Sequence, residues 1–198
     1  MHPKQHSILQ RMGVYCKHFA LGFALICTQL TLSSASAQTS EPSAQTIKQI
    51  TALFERGKIA YSKGDFQQAI RNLTQVIAIY PNFAEAYNNR GLAYKNLKDY
   101  SSAIRDYTQA IALNPNYAEA YVNRGIAYTD LRDLSSAYRD YTQAIALNPN
   151  LAVAYNNRAV ILAVTNDYRN ATRDARKACS LGNCYMLEAL GKNGHLRD

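Results

Sequence analysis

The chain has 198 residues and a formal net charge of +8, and its lysines and arginines are spread along its length rather than gathered in a run. No helix–turn–helix or zinc-finger pattern accompanies them, so this balance does not indicate a nucleic-acid-binding protein. The absence of a G-x-S-x-G motif and of a glycine-rich phosphate loop gives no support for an enzyme, and no cofactor is expected.

Residues 1–37 have the three parts of a secretory signal peptide. These parts are the basic residues Lys4, Arg11 and Lys17, the apolar residues 19–32, and an Ala-Ser-Ala sequence at 35–37. The apolar part is shorter than the roughly 20 residues that a membrane-spanning helix needs. We therefore expect cleavage after Ala37 and export to the bacterial periplasm or beyond, with an uncleaved anchor as the alternative. Residues 38–49 are polar, contain Pro42 and are predicted to form a linker.

A unit of 34 residues repeats through the rest of the chain and is marked by Pro81, Pro115 and Pro149. The two central units, residues 84–117 and 118–151, are identical at 26 of 34 positions. Within a unit, apolar residues recur at intervals of three and four, which predicts two amphipathic helices. Small residues and tyrosines alternate on the facing stripes, as closely packed antiparallel helices require. An Asn-Pro sequence ends the second helix, because proline cannot donate the helical hydrogen bond.

Six positions of the unit, counted from its first residue, resemble the tetratricopeptide repeat. They are glycine at 8, tyrosine at 11, alanine at 20, tyrosine at 24, alanine at 27 and proline at 32. In the central units these residues are Gly91 and Gly125, Tyr94 and Tyr128, Ala103 and Ala137, Tyr107 and Tyr141, Ala110 and Ala144, and Pro115 and Pro149. The resemblance implies an all-α fold, an α-solenoid in which helix-turn-helix units stack on one another.

Two less regular units flank the central pair. Residues 50–83 lack the tyrosines of positions 11 and 24, and residues 152–185 end in Gly182-Asn183 instead of Asn-Pro. Terminal units of a solenoid are expected to deviate, since one of their sides faces water. Residues 186–198 are predicted to supply a short capping helix and a tail. The expected architecture is therefore four repeats and a C-terminal cap.

The chain after the leader keeps two cysteines, Cys179 and Cys184. On an unbroken helix their side chains would point apart, but Gly182-Asn183 interrupts the helix between them. A turn can bring the two cysteines within reach of a disulfide, which an oxidising compartment would favour. A disulfide and a pair of half-buried thiols both remain open. A metal site is not predicted, because two cysteines and the distant His195 do not make a ligand set.

In the family that the chain resembles, the first helices of successive units line a concave groove. Positions 2, 5, 6, 9, 12 and 13 of each unit point into it. The resemblance therefore implies a peptide-binding groove that contains Lys58, Asn88, Asn89, Leu92, Lys95, Asn123, Ile126, Asn156 and Asn157. The asparagines at position 6 resemble the asparagine ladder of some family members, whose amides hold the backbone of an extended peptide. Alternatively, they are relics of duplication.

Family members that grip the C-terminal carboxylate of a peptide carry basic residues at positions 2, 5 and 6 of particular units. Here position 2 is occupied by Glu85, Glu119 and Val153 in the second, third and fourth units. A carboxylate clamp for chaperone tails is therefore not supported by the sequence.

Arginine at position 7 recurs together with aspartate at position 23. The pairs are Arg90 and Asp106, Arg124 and Asp140, and Arg158 and Asp174, whereas the first unit pairs Arg56 with Asn72. We expect exposed ion pairs, each contributing less than about 1 kcal/mol to stability. On this interpretation the substitution Arg124→Leu is tolerated.

Taken together, the patterns favour a non-enzymatic adaptor that holds an extended segment of a protein or peptide partner in its groove. The resemblance and the leader place this adaptor in the bacterial cell envelope. The alternative is a structural module whose nearly identical units associate with other copies of the chain.

Overall fold

The computed structural model describes residues 43–196, and within them every regular element is an α-helix. The first helices of the four units are α1 (Ala44–Ser62), α3 (Ala84–Asn96), α5 (Ala118–Asp130) and α7 (Ala152–Val164). The second helices are α2 (Phe66–Ile79), α4 (Tyr100–Leu113), α6 (Leu134–Leu147) and α8 (Tyr168–Ser180), and α9 (Tyr185–Lys192) follows. None of these helices is both long and apolar enough to span a membrane. The predicted signal peptide lies outside the described residues.

Helix α1 begins earlier than the first helices of the other units. It starts at Ala44 because Ser43 caps it: the amide of Thr46 donates a hydrogen bond to Ser43 Oγ at 3.1 Å. Residues 44–49, which were predicted to belong to the linker, are therefore helical. The predicted linker is too long at its C-terminal end.

The same tight turn joins the two helices of every unit. An aspartate caps the second helix, and its carboxylate accepts the backbone amide three residues further on, as between Ser102 N and Asp99 Oδ1 at 3.0 Å. The residue before each aspartate has a positive φ; these residues are Gly64 at 79°, Lys98 at 62°, Arg132 at 65° and Asn166 at 63°. The 34-residue period therefore fixes a backbone geometry as well as a side-chain pattern.

The helices of a unit approach each other closely at the position-8 glycine. A Cβ atom on Gly91 would lie 2.7 Å from Cε1 of Tyr107, and one on Gly125 would lie 2.7 Å from Cε1 of Tyr141. Both tyrosine side chains are buried. Glycine is required here because the aromatic ring of position 24 fills the space that a side chain would need.

The four helix pairs stack in series. Each second helix packs against the first helix of the next unit, and successive first helices also contact one another. Among the residues the structure describes, successive second helices make no such contact. The first helices are therefore closer together and form the inner side of a curved array. The predicted α-solenoid of four repeats is confirmed.

Helix α9 closes the C-terminal end of the array. It contacts α7 and α8, and its Met186 and Leu190 are buried in one apolar cluster with Leu162, Ala171 and Ala175. A disulfide joins Cys179, near the end of α8, to Cys184, directly before α9. The structure thus supplies the capping helix of the predicted fold and fastens it covalently to the last repeat.

The repeated arginines lie at the contact between units. The guanidinium of Arg90 donates from Nε and Nη2 to both carboxylate oxygens of Asp106 at 2.8 Å, and from Nη1 to Thr74 Oγ1 of the preceding unit at 3.0 Å. It also lies over the ring of Tyr87, 5.6 Å from its centroid. Arg124 with Asp140 and Thr108, and Arg158 with Asp174 and Thr142, repeat this arrangement. We call it the arginine clamp.

The expectation that these ion pairs are exposed is wrong. The side chains of Arg124 and Asp140 are only 17% and 8% exposed. The hydrogen bonds that Arg124 donates to Asp140 raise the pKa of Arg124 above its usual value, although burial acts in the opposite direction. Because the carboxylate is buried, removal of the arginine would leave an uncompensated charge in the interior. The clamp therefore matters more to stability than a surface ion pair does.

Candidate functional site

The inner face of the solenoid is formed by α1, α3, α5 and α7, and equivalent positions of these helices lie in rows along it. Two hydrogen bonds join successive first helices on this face. Asn96 Nδ2 donates to the hydroxyl of Tyr61 at 2.9 Å, and Asn123 Nδ2 donates to Asn88 Oδ1 at 2.9 Å. These residues occupy positions 13, 12, 6 and 5. The positions that the family resemblance assigns to a groove therefore lie on the inner face.

The position-6 asparagines remain accessible, at an intermediate level of exposure. Each is already engaged within the protein. Asn89 Nδ2 donates to the backbone oxygen of Glu85 at 2.7 Å, and Asn123 bonds Asn88 as described. The side chain of Asn157 acts on the hydroxyl of Tyr141 and lowers its pKa. An asparagine has two amide hydrogens and a carbonyl oxygen, so these bonds leave further capacity for a ligand.

The position-5 residues lie deeper. Asn88 and Asn156 are 5% and 6% exposed, and the equivalent Phe54 and Val122 are buried as well. Asn88 accepts its bond from the third unit, whereas Asn156 Oδ1 accepts from the backbone amide of Met186 in the cap at 3.3 Å. In this structure both asparagines join neighbouring elements, because a buried amide must be paired. They do not offer an open surface to a ligand.

The two predicted groove lysines differ in their surroundings. Lys58 forms an exposed ion pair with Glu55 of the same helix at 3.1 Å. Lys95, at position 12 of the second unit, makes no ion pair with any residue of the described range. Of the two, Lys95 is the more available for an acidic group of a ligand.

The side chains of the inner face become less polar and lose their charges towards the C-terminal end of the array. Leu92 and Ile126 form an apolar row at position 9 through the central units, with Glu119 and Asp130 at its edges. In the fourth unit positions 2, 9, 12 and 13 are all apolar and uncharged: Val153, Val160, Ala163 and Val164. Val153 and Val164 are 41% and 60% exposed. Val164 was not among the predicted site residues, although its place at position 13 could have identified it.

Two buried tyrosine hydroxyls lie beneath this face. The hydroxyl of Tyr141 pairs with Thr129 Oγ1 at 3.1 Å, and burial raises the pKa of Tyr141 to about 12. The hydroxyl of Tyr107 has no hydrogen-bond partner among residues 43–196, and burial raises its pKa further. The second unit has Lys95 where the third has Thr129. The residue at position 12 therefore decides whether the buried tyrosine hydroxyl of position 24 has a hydrogen-bond partner.

No group of three or more histidine, cysteine or acidic side chains in residues 43–196 could hold a metal ion. The inner face offers amides, aliphatic side chains and a few charges, and no observation in the described part points to catalysis.

Comparison with known proteins identifies the family. A family model described as "Tetratricopeptide repeat" matches residues 84–117 and 118–151, and one described as "TPR repeat" matches residues 57–98. A solved structure, "First TPR of Spaghetti (RPAP3) bound to HSP90 peptide SRMEEVD", is 31% identical to this chain. The match covers 60% of this chain and 94% of that structure, with a TM-score of 0.59. The chain belongs to the tetratricopeptide repeat family.

Other solved structures are similar to this repeat protein. The second TPR domain of human RPAP3 in complex with the HSP70 peptide SGPTIEEVD is 31% identical, with a TM-score of 0.57 over 59% of the chain and 97% of the domain. A crystal structure of MamA is 26% identical, with a TM-score of 0.64 over 67% of the chain and 77% of MamA. A search of curated proteins gives no sequence match. The fold is that of a protein-interaction scaffold.

Proposed function

We propose that this tetratricopeptide repeat protein is an adaptor whose inner face binds an extended internal segment of a partner protein. The fold and the two similar RPAP3 domains with bound peptides support a role in peptide binding. The inner face provides amides that can pair with a peptide backbone and an apolar row that can receive its side chains.

The distribution of differences between the two central units carries the proposal. Eight of their 34 positions differ, and four of the eight fall among the six inner-face positions, namely 5, 9, 12 and 13. The other four are distributed over the remaining 28 positions. Duplication alone would not concentrate change on one face. Position 5 is buried, but the different side chains at the accessible positions 9, 12 and 13 would allow each unit to contact a different part of one ligand.

The mode of binding that we propose differs from that of a carboxylate clamp. The chain has acidic or apolar residues at position 2 of units two to four, so the basic pattern that grips a peptide C-terminus is absent there. The uncharged inner face of the fourth unit would suit an apolar stretch of the ligand. An internal segment with an apolar end fits these residues better than an acidic C-terminal tail.

Two sets of substitutions test the groove. Asn89, Asn123 and Asn157 are changed together to alanine, and the matched control changes Gln75, Gln109 and Gln143, which are exposed amides of the second helices with the same spacing. Partners are captured by crosslinking in a native extract, and helicity is followed by far-ultraviolet circular dichroism. We expect the asparagine set to abolish capture at unchanged helicity and the glutamine set to retain it. Equal capture of partners by the asparagine and glutamine variants would refute the proposal that the groove binds them.

The alternative function, self-association, gives a different result in the same experiment. A self-assembling module would form oligomers that grow with concentration and survive the asparagine substitutions. Sedimentation of the wild-type and substituted chains over a hundredfold range of concentration separates the two functions.

We also propose that the protein acts in the bacterial cell envelope after export. The signal-peptide pattern of residues 1–37 supports this location, and so does the disulfide between Cys179 and Cys184, since disulfides persist in oxidising compartments. Mass spectrometry of the protein from a bacterial periplasmic fraction tests it. The expected N-terminus is Gln38, and a chain that stays intact in the cytoplasm would contradict the proposal.

A further inference from the structure

The arginine of the first unit, Arg56, has surroundings unlike those of the other three. In the second unit the guanidinium of Arg90 is neutralised by Asp106, bonded to Thr74 and covered by the rings of Tyr87 and Tyr94. Each of the three nitrogens of that guanidinium therefore donates a hydrogen bond, and two aromatic rings lie near it.

Each of these partners is changed around Arg56. The aspartate is replaced by Asn72, and the two tyrosines are replaced by Leu53 and Ala60. No described unit precedes the first, so no threonine within residues 43–196 corresponds to Thr74. Arg56 is exposed and forms no hydrogen bond or ion pair with residues 43–196. The first unit keeps the arginine of the clamp, but among the described residues this arginine lacks the aspartate, the threonine and the two tyrosines that contact its counterpart in the second unit.

The smaller side chains leave open space on both sides of Arg56. Two surface depressions, of about 380 and 490 Å³, share this arginine in their lining. Ala60 and Asn72 line the first, and Leu53 lines the second. The space that the tyrosines fill in the interior units is thus accessible from solvent at the N-terminal end of the array.

The charges around these depressions favour an anion. Lys63 lines the first depression and Lys48 the second, and Asp65 is the one acidic residue among the residues that line them. Asp65 is occupied in capping α2, where its Oδ1 accepts the amide of Gln68 at 2.9 Å. Three basic residues against one acidic residue give a local charge of +2.

Asn72 adds a further donor. Its Oδ1 accepts a hydrogen bond from Gln68 Nε2 at 2.9 Å, so its own amide hydrogens remain for an acceptor. A carboxylate placed beside Arg56 would meet the two parallel donors of the guanidinium and this amide. The same fork binds a carboxylate at 2.8 Å in the second and third units.

We propose that Arg56, with Asn72 and Lys63, forms a second binding site that receives a carboxylate side chain from an acidic segment of a partner protein. The ligand carboxylate pairs with Arg56 as the aspartate of position 23 pairs with the arginine in the other three units. This site lies beside the contact between α1 and α2 and is separate from the inner face of the solenoid.

A second copy of this chain does not fit the site. If the fourth unit of another copy stacked on the first unit in the register of the array, its position 25 would face Arg56. That position is threonine in the first three units and Arg176 in the fourth. Two arginines would meet where a hydroxyl is needed, and α9 already covers that side of the fourth unit. The occupant is therefore a different, acidic chain.

The test measures binding of a capped octapeptide of alternating glycine and glutamate to the full chain by calorimetry. The matching glutamine peptide and inorganic phosphate serve as separate arms. We expect the glutamate peptide to bind and both Arg56→Gln and Asn72→Asp to weaken it at least tenfold. Asn72→Asp acts by supplying an internal carboxylate to Arg56, so it should also raise the midpoint of thermal unfolding.

Three controls separate the site from other causes. Lys98→Gln alters the net charge as much as Arg56→Gln but at a distant turn. An equal loss of peptide affinity with this variant would show that net charge causes the effect and would overturn the proposed site. Peptide binding that is lost in the asparagine variant of the inner face instead would assign the peptide to the groove. Binding of phosphate without binding of the glutamate peptide, or unchanged binding by Asn72→Asp, would also overturn the proposal.

Discussion

The second and third repeats share a framework, and half of the positions at which they differ lie on the inner face. Residues 84–117 and 118–151 have the same turn, the same glycine against a buried tyrosine and the same arginine clamp with matching distances. Their inner faces carry different residues at positions 5, 9, 12 and 13. The glycine, tyrosine and arginine positions that pack against other helices are therefore the same in both units, whereas the accessible positions 9, 12 and 13 of the inner face vary.

One of the differences reaches into the core. Thr129 pairs with the buried hydroxyl of Tyr141, but Lys95 leaves the equivalent hydroxyl of Tyr107 without a partner in the part of the chain that the structure describes. A buried unpaired hydroxyl is destabilising, because it loses its hydrogen bonds to water without replacement. The second repeat therefore carries a local cost that the third does not, in exchange for a basic side chain on its inner face.

Breaking the arginine clamp should give the largest effect and should affect both repeats equally. We expect Arg90→Leu and Arg124→Leu each to lower the free energy of unfolding by about 3 kcal/mol, because each leaves a buried carboxylate unpaired. Urea denaturation measures this change. A difference of more than about 1 kcal/mol between the two variants would show that the frameworks are not equivalent.

Two further variants serve as controls for the clamp. Arg56→Leu should change stability by less than about 0.5 kcal/mol, because this arginine has no partner among the described residues. The double variant Arg124→Leu with Asp140→Leu should recover much of the loss, since no charge then remains buried. Failure of the double variant to recover stability would assign the loss to packing.

The same conservative substitution should have opposite signs in the two repeats. We expect Tyr107→Phe to raise the free energy of unfolding by about 1 kcal/mol, because it removes an unpaired hydroxyl, and Tyr141→Phe to lower it by about 1 kcal/mol, because it breaks a hydrogen bond. Lys95→Thr should also stabilise the chain by supplying a partner to Tyr107. Equal effects of the two tyrosine variants would contradict the contrast between Lys95 and Thr129.

Alkaline titration should reveal a smaller difference. The pKa of Tyr141 is raised to about 12 in the folded chain, against about 10 for an unfolded tyrosine. The stability that this shift provides is complete below pH 10 and is lost as the pH rises towards 12. By pH 10.5 we expect a loss of about 0.8 kcal/mol that Tyr141→Phe abolishes. The pKa of Tyr107 is raised further, so its ultraviolet ionisation signal should appear later than that of Tyr141.

The sequence was sufficient to predict the fold. The spacing of Pro81, Pro115 and Pro149 and the alternation of glycine with tyrosine predict paired helices in series, and the structure has them. This success has a physical reason. A repeated unit can bury its apolar stripe only against its neighbours, so local pattern and global fold agree.

The sequence was less informative about polar side chains. It did not reveal that Asp140 is buried, because the depth of position 23 in the packed array does not follow from the local pattern of residues. The roles of Asn88 and Asn156 in joining elements, and the unpaired hydroxyl of Tyr107, likewise depend on contacts between residues far apart in the chain. The choice between a disulfide and two thiols required the turn geometry at Gly182, where the backbone has a positive φ.

The arginine clamp has a consequence for how the protein responds to a ligand. Each clamp arginine donates hydrogen bonds to two units, so the unfolding of one unit removes a hydrogen bond from the unit beside it. In a linear array with strong nearest-neighbour coupling, free energy gained at one unit is shared along the chain. A partner that grips only the second and third repeats should therefore slow the opening of the first repeat and of the cap, neither of which it touches.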